Sequence, residues 1–351
     1  MNNTALKNAG AAVLQSLGLP RLLRLLNRHK VTVLMYHGVA RDDETPLPPW
    51  MLPEREFRWQ MEYLARHYRV LPLAQVVERL LTGRPLPPYS LALTFDDGFR
   101  NNYTIAYPIL QELGLPATIF LVTGYLDSDQ ALWPDVLFQA IHRTPVEVLD
   151  LADLGDEVHS LKTLADRRSS FLAVVEHLKT LPVDEKNQRL EEITRRLKFD
   201  LDQFSNREDA PFAVLRQQEI RQMAQEGLVT FGVHTDTHEI LTRFPLAAAQ
   251  REIQVSKRKW EALLGEPARF FAYPNGTPAD FNDALKQELK QHGFTCAFAS
   301  EGGLIHSRFD PFALARVGIG PALNAAYFQL KLSGSVEALK QVRGWLVRNG
   351  R

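Results

Sequence analysis

Cysteine is nearly absent from this chain. Cys296 stands alone in 351 residues, so no internal disulfide can form and no oxidising compartment is implied. It lies in the apolar run Phe294-Thr-Cys-Ala-Phe-Ala299 and reads as buried core rather than as a nucleophile. Net charge is also missing: 41 basic residues face 41 acidic ones. Nothing argues for the clustered basic face that nucleic-acid binding needs, so no nucleic-acid partner is expected. No run approaches the ~20 apolar residues of a membrane span. Residues 9–19 are mildly apolar, but they contain Gln15 and Ser16 and lack a small-x-small cleavage pattern. No secretory signal is therefore expected, and a cytoplasmic location follows as an expectation. Residues 1–30 lack acids altogether while holding five Lys or Arg. Within them, Pro20-Arg-Leu-Leu-Arg-Leu-Leu-Asn-Arg28 is basic and amphipathic at helical spacing. Two readings stay open for this segment: a helix covering one end of the fold, which is preferred, and a peripheral contact with an anionic inner-membrane surface.

What is present starts with Leu91-Ala-Leu-Thr-Phe-Asp-Asp-Gly98. An apolar run of this length reads as a buried strand. It ends in two adjacent carboxylates, which strand alternation sends in different directions. One of them can ligate a metal while its neighbour handles a proton. The plainer reading is a strand followed by an Asp-Gly turn. A second strand-like run, Leu228–Val233, leads into His234-Thr-Asp-Thr-His238. On a helical turn this spacing puts both imidazoles on one face, and two His plus one carboxylate suit zinc, cobalt or nickel. Asp236 between them is either a supporting acceptor or a solvated loop residue. The third element, Arg269-Phe-Phe-Ala-Tyr-Pro-Asn-Gly276, is an aromatic strand ending in a turn.

Strand-like runs recur at 31–35, 91–95, 117–122, 228–233, 270–273, 296–299 and 314–319. Helical patterns at 56–66, 73–81, 105–113, 217–226, 247–264 and 283–292 alternate with them. That alternation predicts a parallel α/β fold. The residues His37, Asp96, Asp97, His234 and Asn275 each follow a strand run, as the functional residues of α/β barrels do. Residues 126–212 break the rhythm and read as a helical insertion, with helices over 159–181 and 184–204, on the active-site side. His142, His159 and His177 inside it are expected to be solvated. Trp133 near its start, and Trp50 in a proline-rich loop, are candidate substrate contacts through their aromatic faces. The expected organisation is a segment 1–30 followed by a barrel over 31–351 that the insertion interrupts.

Thr94-Phe-Asp-Asp-Gly98, His234-x-x-x-His238 and Phe271-Ala-Tyr-Pro-Asn-Gly276, in this order, resemble the polysaccharide deacetylases, the NodB-homology group of carbohydrate esterase family 4. The resemblance runs from about Val31 to about Gly320. Val31-Thr-Val-Leu-Met-Tyr-His37-Gly38 is similar to the circularly permuted branch represented by poly-N-acetylglucosamine deacetylases. The resemblance implies a distorted (β/α)7 barrel and a metal-dependent hydrolase that removes N-acetyl groups from an N-acetylated glycan. It implies Asp96 as general base, His37 as general acid, and Asp97, His234 and His238 as ligands of a divalent metal, foremost zinc. Tyr273, Pro274 and Asn275 would contact substrate, with a backbone N–H near Asn275 stabilising the oxyanion. Many relatives carry an arginine where this chain has Ala272. Arg316, with Asp310 nearby, is the expected substitute that holds Asp96. The other function classes kept open are a hydrolase of small cyclic amides and a non-catalytic glycan-binding protein. The sequence does not indicate an oligomeric state.

Overall fold

The computed structural model describes residues 3–200, 211–306, 308–321 and 324–335. Seven parallel strands close into a barrel: β1 (Thr32–Tyr36), β2 (Ser90–Phe95), β3 (Ala117–Leu121), β4 (Val229–Val233), β5 (Phe270–Ala272), β6 (Cys296–Gly302) and β7 (Leu314–Gly318). Their order around the barrel is β1-β7-β6-β5-β4-β3-β2, and β2 pairs back onto β1. The N-terminal strand therefore closes the barrel between the last strand and the second. A short strand, Arg69–Val70, adds to the start of β2.

The barrel is uneven. β1 and β2 pair along five residues, from Thr32 opposite Leu91 to Tyr36 opposite Phe95. β4 and β5 are registered only at Val233 and Phe271. The β6–β7 register slips between Phe298 and Gly302. Such irregularities concentrate at barrel rims and beside sites, where they re-aim side chains.

Period-two alternation splits each strand into two sets. Leu34, Tyr36, Leu93, Phe95, Ile119 and Leu121 join Phe57, Met61 and Leu64 of helix Glu54–His67 in the layer around the barrel. Val33, Ala92, Phe120, Phe298 and Leu314 form the inner set, joined by Leu73, Val76 and Val77 of helix Leu73–Thr82. Asp96 continues the inner parity of Ala92 and Thr94, and His37 that of Val33 and Met35. The alternation thus carries both residues into the barrel mouth.

The insertion begins with helix Trp133–Arg143, for which the sequence reading had no helix. Pro134 near its start and the apolar residues Leu137, Ile141 and Phe138 are its signals. A hairpin of Val148–Asp150 and Val158–Ser160 follows. Helices Leu164–Leu178 and Val183–Arg196 complete it. The helix expected over 159–181 is thus shorter, and its start is fixed by a capping box between Thr163 and Asp166. Residues 201–204 of the other expected helix lie outside the described residues. His159 is a correction: it is a buried hairpin residue 3.7 Å from Asp156. His142 and His177 are half-buried rather than solvated.

Candidate active site

Four loop turns at the C-terminal ends of the strands assemble the site. Asp96 leaves β2 with its backbone N–H bonded to the Tyr36 carbonyl at 2.9 Å. Asp97 then adopts a positive φ of 73°, and Gly98 follows at 69°. Two consecutive left-handed residues reverse the chain within one step, and a Cβ at Gly98 would meet the Leu121 side chain at 3.0 Å. The same device recurs after β5, where Asn275 and Gly276 have φ of 58° and 65°. Thr235 and His238 are left-handed too. Four of the seven non-glycine residues with positive φ among the described residues, Asp97, Thr235, His238 and Asn275, therefore sit in this one place. Strain of this kind persists where surrounding structure enforces it and clusters at functional sites.

Arg316 from β7 reaches across the barrel to Asp96. Its Nη1 and Nη2 donate to the two carboxylate oxygens at 2.7 and 2.8 Å. Its Nε donates to the Ala299 carbonyl at 2.9 Å. The guanidinium is fully buried and lies over the Phe120 ring. Planar, always charged and five-donor, arginine suits this bidentate grip as lysine does not. Burial alone would raise the Asp96 carboxyl, but Arg316, His234 and His37 outweigh it and hold the group below its ordinary value. Asp310 takes no part: it pairs with Lys286 at 2.9 Å. Arg269 lies over Phe270 and precedes β5, at the end of the strand away from the site.

Asp97, His234 and His238 place their ligand atoms within 4.8 Å of one another. Asp97 Oδ1 is 3.4 Å from His234 Nε2 and 3.0 Å from His238 Nε2. His234 Nδ1 meets the Ala272 carbonyl at 2.8 Å. It must therefore donate there, which fixes the tautomer and turns Nε2 toward Asp97, an arrangement typical of metal-ligating histidines. The two histidines are not on a helical turn, as the spacing suggested. They lie in a loop that the left-handed Thr235 and His238 fold back, with the Thr235 hydroxyl accepting from the His238 N–H at 3.0 Å. Asp97 Oδ1 is buried with no hydrogen-bond donor of good geometry among the described residues. Two imidazoles and a carboxylate oxygen left without a donor fit a tetrahedral or octahedral divalent ion such as zinc, cobalt or nickel.

His37 follows β1 and lines the same cavity. The Asn102 side chain holds its carbonyl with a 2.7 Å bond. Burial lowers its pKa, against the pull of Asp97 and Asp96. The model of the polysaccharide deacetylase family matches residues 83–169 and 175–297, more than half of the chain. This chain belongs to the polysaccharide deacetylase family. As a family member it carries its metal-ligand candidates and base candidate on strand ends β2 and β4, and its acid candidate on the strand that opens the chain's barrel.

Among curated relatives, the poly-beta-1,6-N-acetyl-D-glucosamine N-deacetylase of Escherichia coli K12 is 37% identical over 73 residues, 21% of this chain and 10% of that protein. The protein of the same description from Staphylococcus epidermidis is 26% identical over 113 residues, 29% of this chain and 39% of that one. The chain thus spans well under half the length of the curated relatives it matches. Streptococcus pyogenes deacetylase PplD, solved in complex with acetate, superposes with a TM-score of 0.56 at 18% identity, covering 87% of this chain and 98% of that one. IcaB from Ammonifex degensii gives 0.56 at 17% identity, covering 88% and 97%. At these identities the shared property is the fold.

The candidate site opens into a cavity of about 230 Å³. The insertion supplies one wall, with Leu132, Trp133, Phe171, Leu172 and Val175. Trp50 also lines it, packed on Phe171 with ring centroids 5.7 Å apart. Trp133 is mostly buried at the wall, with Lys186 4.8 Å over its ring. Tyr273 lines the cavity too, with its ring stacked on Phe281 and its hydroxyl donating to the Phe312 carbonyl at 3.0 Å. Pro274 and Asn275 line the cavity beside it. The Asn275 amide donates to Asp280 at 2.7 Å, fixing the turn, while its backbone N–H has no acceptor among the described residues. Asp236 is not free: Thr123 and Lys259 both donate to it.

One residue of the wall escaped the sequence reading. Asp135, 1% exposed, lines the cavity from the first turn of helix Trp133–Arg143. Burial raises its pKa well above the ordinary carboxylate value, and the Asp97 charge pushes the same way. Nothing in Trp-Pro-Asp signals this by itself, because only the docking of the insertion onto the barrel buries it.

Proposed function

We propose that this deacetylase is a metal-dependent hydrolase that removes N-acetyl groups from an N-acetylated glycan. The observation that carries the reading is one mouth holding two differently equipped carboxylates: Asp96 gripped by Arg316, and Asp97 grouped with two histidines. Asp97, His234 and His238 would hold the metal, foremost zinc. Once bound there, the metal supplies a Lewis acid and lowers the pKa of a coordinated water. Asp96 accepts the proton of the attacking water. Its carboxylate has about four lone-pair sites, so the two bonds from Arg316 leave capacity for that proton. Arg316 is a positioning residue, holding both oxygens of the base in one plane. The Asn275 backbone N–H would donate to the acetyl oxygen as charge develops on it. Protonated His37 gives its proton to the leaving nitrogen as the C–N bond breaks, and acetate and a free amine result. Lowering of the His37 pKa by burial makes that proton easier to give and turns the reaction down as pH rises.

The cavity lining supports a glycan over a small anionic cyclic amide. Among the described residues, Lys179 is the one lysine or arginine that lines it, against Asp96, Asp97, Asp135 and Glu176. Two tryptophans and an apolar wall suit a sugar face and an acetyl methyl group. Its volume falls below the roughly 300–1,000 Å³ of a drug-sized site, which fits one sugar unit in the cavity with the remainder of a chain along the rim.

The test is product analysis. Zinc-loaded protein is incubated with β-1,6- and β-1,4-linked N-acetylglucosamine oligomers, and free amines are counted and mapped. Amine formation that a chelator stops and returned metal restores is the expected result. Intact oligomers of both linkages together with turnover of a cyclic amide would replace the proposal with the small-amide reading.

A further inference from the structure

The N-terminal segment presents a surface that the catalytic reading does not use. Helices Asn3–Ser16 and Leu19–Leu26 are tied to helix Ala325–Leu332, the last among the described residues, and the turn after it. Gln15 bonds Gln329 at 3.1 Å, and Asn27 donates to the Ser333 carbonyl at 2.8 Å. These anchors fix which face of the second helix is spent inward. Pro20 is buried, and Leu19 and Leu23 are half-buried. Leu22, Leu25 and Leu26, at i, i+3 and i+4, form an adjoining face turned outward and are 54%, 48% and 65% exposed. A surface helix ordinarily carries polar residues there.

Val13 and Leu17, just before this helix in the chain, are exposed as well, at 61% and 75%. Five of the eleven exposed large hydrophobic residues among the described residues thus fall between 13 and 26. The charge around them has one sign. Residues 1–30 hold five Lys or Arg and no acid. Arg24 is pinned over Tyr68 and Tyr89, but Arg21, Arg28, His29 and Lys30 are exposed. The two adjoining clefts are lined by Arg21, Arg24, Arg28 and Lys30 with no carboxylate among their lining residues.

We propose that this face docks on an anionic lipid bilayer. Leucines beside exposed cations match the acyl boundary and the headgroup charge of such a surface together. A neutral protein partner would leave the cations unmatched. The placement has a consequence for the site. The Arg28 carbonyl accepts from Tyr89 N–H, one residue before β2 begins, whereas Asp96 lies one residue past its end. At about 3.3 Å per residue, the docking face and the site lie at opposite ends of a strand of roughly 20 Å. A docked molecule therefore turns its mouth away from the lipid, toward glycan in the aqueous phase.

The test is flotation of the whole protein with vesicles of phosphatidylcholine containing phosphatidylglycerol, and with phosphatidylcholine alone. Flotation with the anionic vesicles is expected. It should fall by about tenfold or more in the Leu22→Ser, Leu25→Ser, Leu26→Ser variant. It should weaken in Arg21→Gln, Arg28→Gln, Lys30→Gln and as salt shortens the Debye length. Melting curves matching wild type confirm that the variants are folded. Absence of wild-type flotation, or equal flotation of all variants, overturns the proposal. So does a leucine-dependent dimer in light scattering without lipid binding, which would assign the face to a second copy. The catalytic reading plays no part in any of these outcomes.

Discussion

The cavity has a barrel wall and an insertion wall, and they bury carboxylates under different conditions. On the barrel side, Asp96 lies in the bidentate grip of Arg316 and is held ionised. On the insertion side, Asp135 is as deeply buried, but no cation acts on it and its carboxyl is driven toward the neutral form. Burial is equal, so the partner decides the charge state. The barrel wall thus presents a carboxylate favoured in its ionised form, whereas the insertion wall is largely apolar. Glu176 and Lys179 also line it, and its buried polar group, Asp135, is driven toward the neutral form, in which it can donate a hydrogen bond without adding charge.

The largest break in this contrast is Arg316→Ala. Removing one partner of a buried ion pair leaves an uncompensated charge and costs about 3–5 kcal/mol. Denaturant unfolding should show this loss. The acidic limb of the pH–rate profile should move upward, because Asp96 loses the cation that favours its ionised form. An unmoved limb in a folded Arg316→Ala or Arg316→Lys enzyme would sever Arg316 from the base.

Next is His37→Ala. Loss of a general acid lowers turnover by about 10²–10⁴-fold, while metal content and melting temperature stay near wild type. Turnover within a few-fold of wild type would move the acid elsewhere.

Asp135→Asn sharpens the contrast through pH. The folded protein keeps a proton on Asp135 that the unfolded chain releases above the ordinary carboxylate range. Wild-type stability therefore declines as pH rises from that range toward the raised folded value. Asp96 behaves in reverse: its lowered pKa contributes stability at neutral pH that is lost on acidification. The Asn variant should match wild type near pH ~4 and exceed it near pH ~8. Parallel melting-temperature curves for the two proteins across this interval would contradict the assignment.

The smallest effect is expected at Thr163→Ala, which removes the cap of helix Leu164–Leu178. It should cost about 1 kcal/mol, read by chemical denaturation, with metal affinity unchanged. A change in metal affinity would show that the insertion shapes the ligand loop as well as the cavity.

The same two walls explain what could be read from the sequence. Strand runs ending in Asp96, Asp97, His234 and His37 were legible because a parallel barrel delivers every strand end to one mouth. Arg316 was legible as the substitute for an arginine missing at Ala272, and inner-face parity on β7 accounts for its reach. Three features were not legible. The fold-back of His238 depends on two left-handed residues outside any glycine. The hairpin that buries His159 interrupts a helical pattern. Asp135 becomes part of the cavity only through contacts between segments far apart in sequence. Each miss is a tertiary effect that local periodicity does not carry.

The most direct measurement is bound metal and acetate release in wild type and Asp96→Asn together, on N-acetylglucosamine oligomers. The account predicts about one divalent ion per chain in both proteins, with acetate released by wild type and nearly abolished in the variant. A folded wild type that takes up no zinc, cobalt or nickel, or an Asp96→Asn protein that releases acetate at the wild-type rate, would contradict it.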